Sequence, residues 1–74
     1  LRPSKNTKLL RNIALRIKEL RENKGVTQED FYNDTGINIG RIERAVNNVS
    51  ITTLDKICSY FDITLKEFFK KDLE

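Results

Sequence analysis

TQEDFYNDTGINIGRIER, residues 27 to 44, contains two short helical patterns that meet at Gly36. Thr27 is placed to accept from the backbone N–H of residue 30 while Asp30 reaches back, the reciprocal spacing of a capping box, so a helix is predicted from about Gln28. Phe31 with Thr35, and Tyr32 with Gly36, lie on adjacent strips of this helix, which leaves Glu29 and Asn33 on the wet side. Gly36 ends it, because glycine tolerates the left-handed conformation that follows a helix. Asn38 is a preferred N-cap, so a second helix is predicted from Ile39 to about Ala45. Ile39, Ile42 and Ala45 or Val46 then face inward at helical spacing, and Arg41, Arg44 and Asn47 face outward.

Polar side chains on that outer face have no evident partner within so small a domain, and arginine and asparagine are donors suited to phosphates and base edges. The residues Leu20-Arg21-Glu22-x-Lys24-Gly25-Val26-Thr27-Gln28-Glu29, Gly36-Ile37, Ile42-Glu43-Arg44 and Asn48-Val49-Ser50-Ile51-x-Thr53-Leu54 together form a specific pattern. In these segments, over roughly residues 9 to 69, the chain resembles the helix-turn-helix family of Cro, the lambda repressor and the xenobiotic-response-element regulators. The resemblance implies an all-α, compact five-helix, lambda-repressor-like DNA-binding domain whose helix 3, about residues 38–46, enters the major groove of double-stranded DNA. The glutamine that matches Gln28 in relatives sits where it meets a backbone phosphate together with the helix N-terminus. Arg41, near the start of helix 3, is the expected base reader, Arg44 a phosphate contact, and Gly40 a place for close backbone approach. Thr27, Asn38 and Asn47 complete the expected DNA-binding set. The alternative for Arg41 is a surface ion pair with Asp34 or Glu43.

The chain departs from the family pattern in spacing. Relatives have about three more residues between the turn glycine and the Ile-Glu pair, nearly one helical turn. One placement puts the deletion inside helix 3, near Asn38 to Arg41, and leaves Ile42 to Leu54 matched without a gap. The other keeps helix 3 whole and shortens the loop after it. The first is preferred because its ungapped match is longer. The family also favours a small residue at Tyr32 and glycine at Ala45. Tyr32 beside Gly40 is one way to accommodate the larger side chain.

Seventy-four residues make one domain, divided here into an arm (1–6) and a helix-turn-helix domain (7–74), with no room for an enzyme core and its deep pocket. A hydrophobic share of 38% beside 34% charged residues still suffices for a compact helical unit. The net charge of +3 is unevenly spread: residues 1–24 carry +6 and residues 25–74 carry −3. Arg2, Lys5, Lys8 and Arg11 are therefore expected to add sequence-independent, salt-sensitive affinity for a phosphate backbone. One cysteine and no histidine exclude an internal disulfide and the usual zinc cluster, so no metal, cofactor or small-molecule ligand is expected. With no apolar run of membrane-spanning length and no signal-peptide core, the expected location is the cytoplasm.

In order along the chain, residues 1–6 read as a flexible basic arm and Thr7 as the cap of helix 1. Leu9, Leu10, Ile13, Ala14, Ile17 and Leu20 gather on one side of that helix, with Leu15 off the stripe. Gly25 ends it. Thr52 and Asp55 repeat the capping spacing ahead of helix 4, whose Leu54, Ile57, Cys58 and Phe61 form a core-facing stripe. Cys58 is thus a buried hydrophobe rather than a nucleophile. Thr64 and Glu67 open helix 5. Phe68 and Phe69 are adjacent, so one of them must point away from the core, and a homodimer contact is expected between about Tyr60 and Phe69.

Two functional readings follow: a sequence-specific transcriptional repressor or autoregulator that binds DNA as a homodimer, or an interaction module or antitoxin-like subunit that keeps the fold with weak or no DNA binding. Neither is an enzyme.

Overall fold

The computed structural model describes residues 7–45 and 49–70, the Thr7 side chain excepted. The expected arm over residues 1–6, the capping role of Thr7, and the placements of Val46, Asn47 and Lys71 lie outside the described residues. Five helices follow one another: α1 (Thr7–Lys24), α2 (Gln28–Thr35), α3 (Ile39–Glu43), α4 (Ile51–Tyr60) and α5 (Leu65–Phe68). Among the described residues there is no strand.

The apolar spacing of α1 decides which side faces inward. Leu10, Ile13, Ala14 and Ile17 are buried, Leu9 and Leu20 are half-buried, and Leu15 is 60% exposed, off the stripe as expected. Every helix then contributes to one core: Ile13 and Ile17 from α1, Phe31 from α2, Ile39 from α3, Leu54, Ile57 and Cys58 from α4 with Phe61 at its end, and Phe68 from α5. Phe31 is fully enclosed, its ring stacked on Phe61 at 5.7 Å and met edge-on by Tyr60 at 4.6 Å. Aromatic pairs in these geometries contribute about 0.5–1.5 kcal/mol beyond the area they bury.

Helix α4 begins differently from its predicted start. Ser50, not Thr52, is its N-cap and accepts from the Thr53 amide at 3.0 Å, while its hydroxyl donates to the Thr53 hydroxyl. Starting two residues earlier lets Leu54 fall in the first turn with its amide already bonded to the Ser50 carbonyl. The expected core stripe of α4 is fully buried. The Thr64–Glu67 capping box opens α5 as predicted. Phe68 lies in the core and Phe69 is 43% exposed, the division that adjacent positions on a helix require.

The third helix is shorter than expected. Predicted to reach about Ala45, it ends at Glu43, with Arg44 as C-cap and Ala45 left-handed at φ 58°. Five residues are little more than one turn.

Candidate nucleic-acid interface

The junction of α2 and α3 is fixed by short-range bonds at every step. The Thr27 hydroxyl accepts from the Asp30 amide at 2.9 Å, and the Asp30 carboxylate accepts from the Thr27 amide at 3.4 Å. At the other end of α2, Gly36 adopts φ 77° and donates its N–H to the Tyr32 carbonyl at 2.8 Å. The Thr35 hydroxyl donates back to the Phe31 carbonyl and accepts from the Ile37 amide, bridging the last turn of α2 to the loop. Asn38 then caps α3, its side-chain oxygen accepting from the Arg41 amide at 3.3 Å. Ile39, 1% exposed, anchors the new helix in the core, and Ile42 packs half-buried on the same side.

A charged bridge locks the far end of α3. Arg21 of α1 donates through Nε to Glu43 Oε2 at 2.7 Å and through Nη2 to Oε1 at 3.1 Å. Its Nη1 donates to the Val26 carbonyl at 2.8 Å. Both side chains are largely withdrawn from water, 11% and 5% exposed. The hydrogen bonds to Glu43 hold the guanidinium above its ordinary pKa, against the opposing effect of burial. Gln28, the first residue of α2, donates to the same Oε1 at 3.0 Å, so one carboxylate ties α1, α2 and α3 together. The sequence reading missed this pairing, whose partners stand 22 residues apart. The available signal was Arg21 itself, four residues after Ile17 on a buried stripe, where a charge needs a partner.

The predicted site residues divide into two groups. Thr27 and Asn38 are exposed but spend their side-chain oxygens on helix caps, and Gln28 is exposed with its amide on Glu43. Gly40 is buried, and the nearest side chains beside it are those of Gln28, 3.0 Å from where a Cβ would stand, and Asn38, 3.4 Å away. The expected pairing of Tyr32 with Gly40 is therefore corrected: Tyr32 is 55% exposed, one turn further along α2 than the residue that covers the glycine. Arg41 and Arg44 are exposed on the outer side of α3. Arg41 also lines an open groove with Asn38, Ile42, Ser50 and Thr53, where the starts of α3 and α4 converge. Glu43 accepts from Arg21 and Gln28, and Asp34 accepts from the Tyr60 hydroxyl at 2.6 Å. Asn47 lies outside the described residues. Cys58 is fully buried, and burial pushes its thiol up, away from the reactive thiolate.

This geometry, two helices joined by a three-residue glycine turn with the second offering arginines to solvent, is that of a helix-turn-helix. The family model of the Cro/C1-type helix-turn-helix DNA-binding domain matches residues 16–72, and the chain belongs to that family. No curated protein and no solved structure matches the chain. Its class is thus a DNA-binding domain of the regulator type, with double-stranded DNA as partner. No helix among the described residues is long and apolar enough to cross a membrane, and no described group of side chains is suited to hold a metal ion.

Proposed function

We propose that the protein is a sequence-specific transcriptional repressor or autoregulator that acts as a homodimer, in the cytoplasm, with α3 in the major groove of paired half-sites. The observation that carries this reading is the division of α3: Ile39 and Ile42 face the core while Arg41 and Arg44 face solvent beside the capped start of the helix. Arg41 reads a base, since a guanidinium gripping guanine through O6 and N7 contributes about 1–3 kcal/mol of discrimination. Arg44, at the C-cap, meets phosphate. Gln28, with the first N–H groups of α2, meets the backbone on the other side of the groove. The basic amino-terminal residues, with Lys8 and Arg11 exposed on α1, add affinity without sequence preference. Exposed Phe69 at the end of α5 supports a dimer contact in the carboxyl-terminal third.

The test begins with selection of bound duplexes from random DNA. Binding to the selected duplex and to a scrambled one is then compared at a single salt concentration. Arg41→Ala is expected to collapse the ratio between the two, and Arg44→Ala to lower both affinities while keeping it. An unchanged ratio in the Arg41 variant would remove that residue from base reading. The five-residue α3 favours the second reading, an interaction module or antitoxin-like subunit, because so short a helix offers few side chains to base edges. A wild-type protein that binds no duplex even at low salt would establish that reading in place of the first.

A further inference from the structure

Gly36 needs its φ of 77° to turn the chain, but Gly40, the second residue of α3, has no positive φ. A glycine with ordinary helical geometry weakens a helix relative to alanine, and a five-residue helix has few other residues to dilute that weakness. The reason for the missing side chain is spatial. A Cβ on residue 40 would stand 3.0 Å from Gln28 Oε1, 3.4 Å from Asn38 Oδ1 and 3.5 Å from Gln28 Cδ, the first tight enough that the Gln28 carboxamide would have to give way by a few tenths of an ångström. The carboxamide of Gln28 settles into that space with Nε2 on Glu43 Oε1 at 3.0 Å. Glu43 cannot follow a displaced glutamine, because Arg21 grips both of its oxygens at 2.7 and 3.1 Å.

We propose that Gly40 is a positioning residue for DNA binding that acts through Gln28. By leaving room for the carboxamide, it lets Glu43 hold Gln28 in one pose across the α2–α3 junction. One amide N–H is spent on the carboxylate, and the other is presented to a phosphate oxygen at the start of α2. The inference rests on the DNA-binding reading above and concerns how the glutamine is preorganised for its contact. It also assigns Gly40 a role different from clearance for the nucleic-acid backbone, since the glycine is covered by protein.

The experiment is a double-mutant cycle on the selected duplex, with Gly40→Ala, Gln28→Ala and both together, accompanied by NMR spectra of the nitrogen-labelled free proteins. Gly40→Ala and Gln28→Ala are each expected to weaken binding about tenfold, the scale of one hydrogen bond to a charged group, and the double variant no further. In the free protein, Gly40→Ala is expected to move the Gln28 side-chain amide resonances toward those of a solvated amide while the Arg21 Nε resonance stays in place, which shows the fold and the Glu43 bridge intact. Losses that multiply to about a hundredfold in the double variant would mean that Gly40 meets the DNA on its own account, and would overturn the proposal. So would an unmoved Gln28 resonance or undiminished binding by Gly40→Ala. A wild-type protein that binds no duplex would overturn the DNA-binding reading and this proposal with it.

Discussion

The two shortest helices of the domain are held by different physics. Helix α5 is four residues long and, beyond its capping box, is held by apolar packing: half-buried Leu65 lies against the core, and Phe68 is fully buried with the Arg16 guanidinium 5.7 Å from its ring centre. Helix α3, one residue longer, sends Ile39 into the core but is closed at its far end by a carboxylate that takes three hydrogen bonds. Apolar packing tolerates small shifts, because it is non-directional. The Glu43 bridge does not, because two of its bonds come from one planar guanidinium in a fixed fork. The element that presents Arg41 and Arg44 is thus held by orientation, and the element that closes the core is held by volume.

The largest effects should come from breaking each kind of anchor. Phe68→Ala is expected to cost about 3–5 kcal/mol of unfolding free energy, the lost transfer energy plus the cavity left behind. Glu43→Ala is expected to cost about 3 kcal/mol, because it strands a guanidinium that is mostly out of water. Denaturant unfolding followed by circular dichroism measures both. The anchors separate in the rescue experiment. Replacing Arg21 by Met and Glu43 by Leu together should recover most of the stability lost in Glu43→Ala, since a buried ion pair is often no better than a packed apolar one. A double variant as unstable as the single would mean that the bridge supplies net stability beyond satisfying its own charges.

A medium effect distinguishes the ends of α3 and α4. Each is followed by a left-handed residue that is not glycine, Ala45 at φ 58° and Asp62 at φ 61°. Aspartate enters this region more readily than alanine, whose Cβ has no compensating local hydrogen bond. Ala45→Gly should therefore stabilise the domain by about 0.5–1 kcal/mol, and Asp62→Gly by less. Thermal melts of the two variants check the order, and a larger gain at Asp62 would show that the strain lies at α4 instead.

What was legible in the sequence was what is local. Thr27 with Asp30, Gly36, Asn38, and Thr64 with Glu67 act within four residues of themselves, so their spacing alone places three helix starts and one stop. The stripe from Leu54 to Phe61 was equally readable, since periodicity needs no knowledge of a partner. Ser50 and Thr52 show where this fails: two hydroxyls precede the same apolar run at similar spacing, and the backbone path into α4 selects between them. The Arg21–Glu43 bridge and the packing of Gln28 on Gly40 join residues 22 and 12 apart, pairings that only the folded chain brings together. The glycine favoured by relatives at Ala45 was a sign of the left-handed turn that ends α3. The outward pair Arg41 and Arg44 was read from period alone, and the Asn38 cap from local spacing, whereas the bond from Gln28 to Glu43, 15 residues away, is one that no local spacing reveals.

The smallest expected effect concerns the link between α2 and α4. The Tyr60 hydroxyl donates to Asp34 Oδ2 at 2.6 Å, and this hydrogen bond, more than the accompanying loss of solvent, holds the phenol pKa above its ordinary value. The sign follows from which form the fold prefers. A raised pKa in the folded state favours the neutral phenol, so the contribution is complete below the ordinary phenol range and is lost as pH rises through the raised folded value. Tyr60→Phe should accordingly be slightly less stable than wild type at neutral pH, and the gap should close in strongly alkaline solution. The difference between the phenolate absorbance titrations of the two proteins isolates Tyr60 from Tyr32 and should give a midpoint above that of a free phenol. The buried Cys58 thiol shares the same sign, so the melts are best compared in a Cys58→Ala background, where only the phenol remains to separate the two curves. A stability gap that stays constant across the alkaline range would mean that the hydroxyl contributes only through packing on Phe31 and Phe61, and that α2 and α4 are joined by their rings alone.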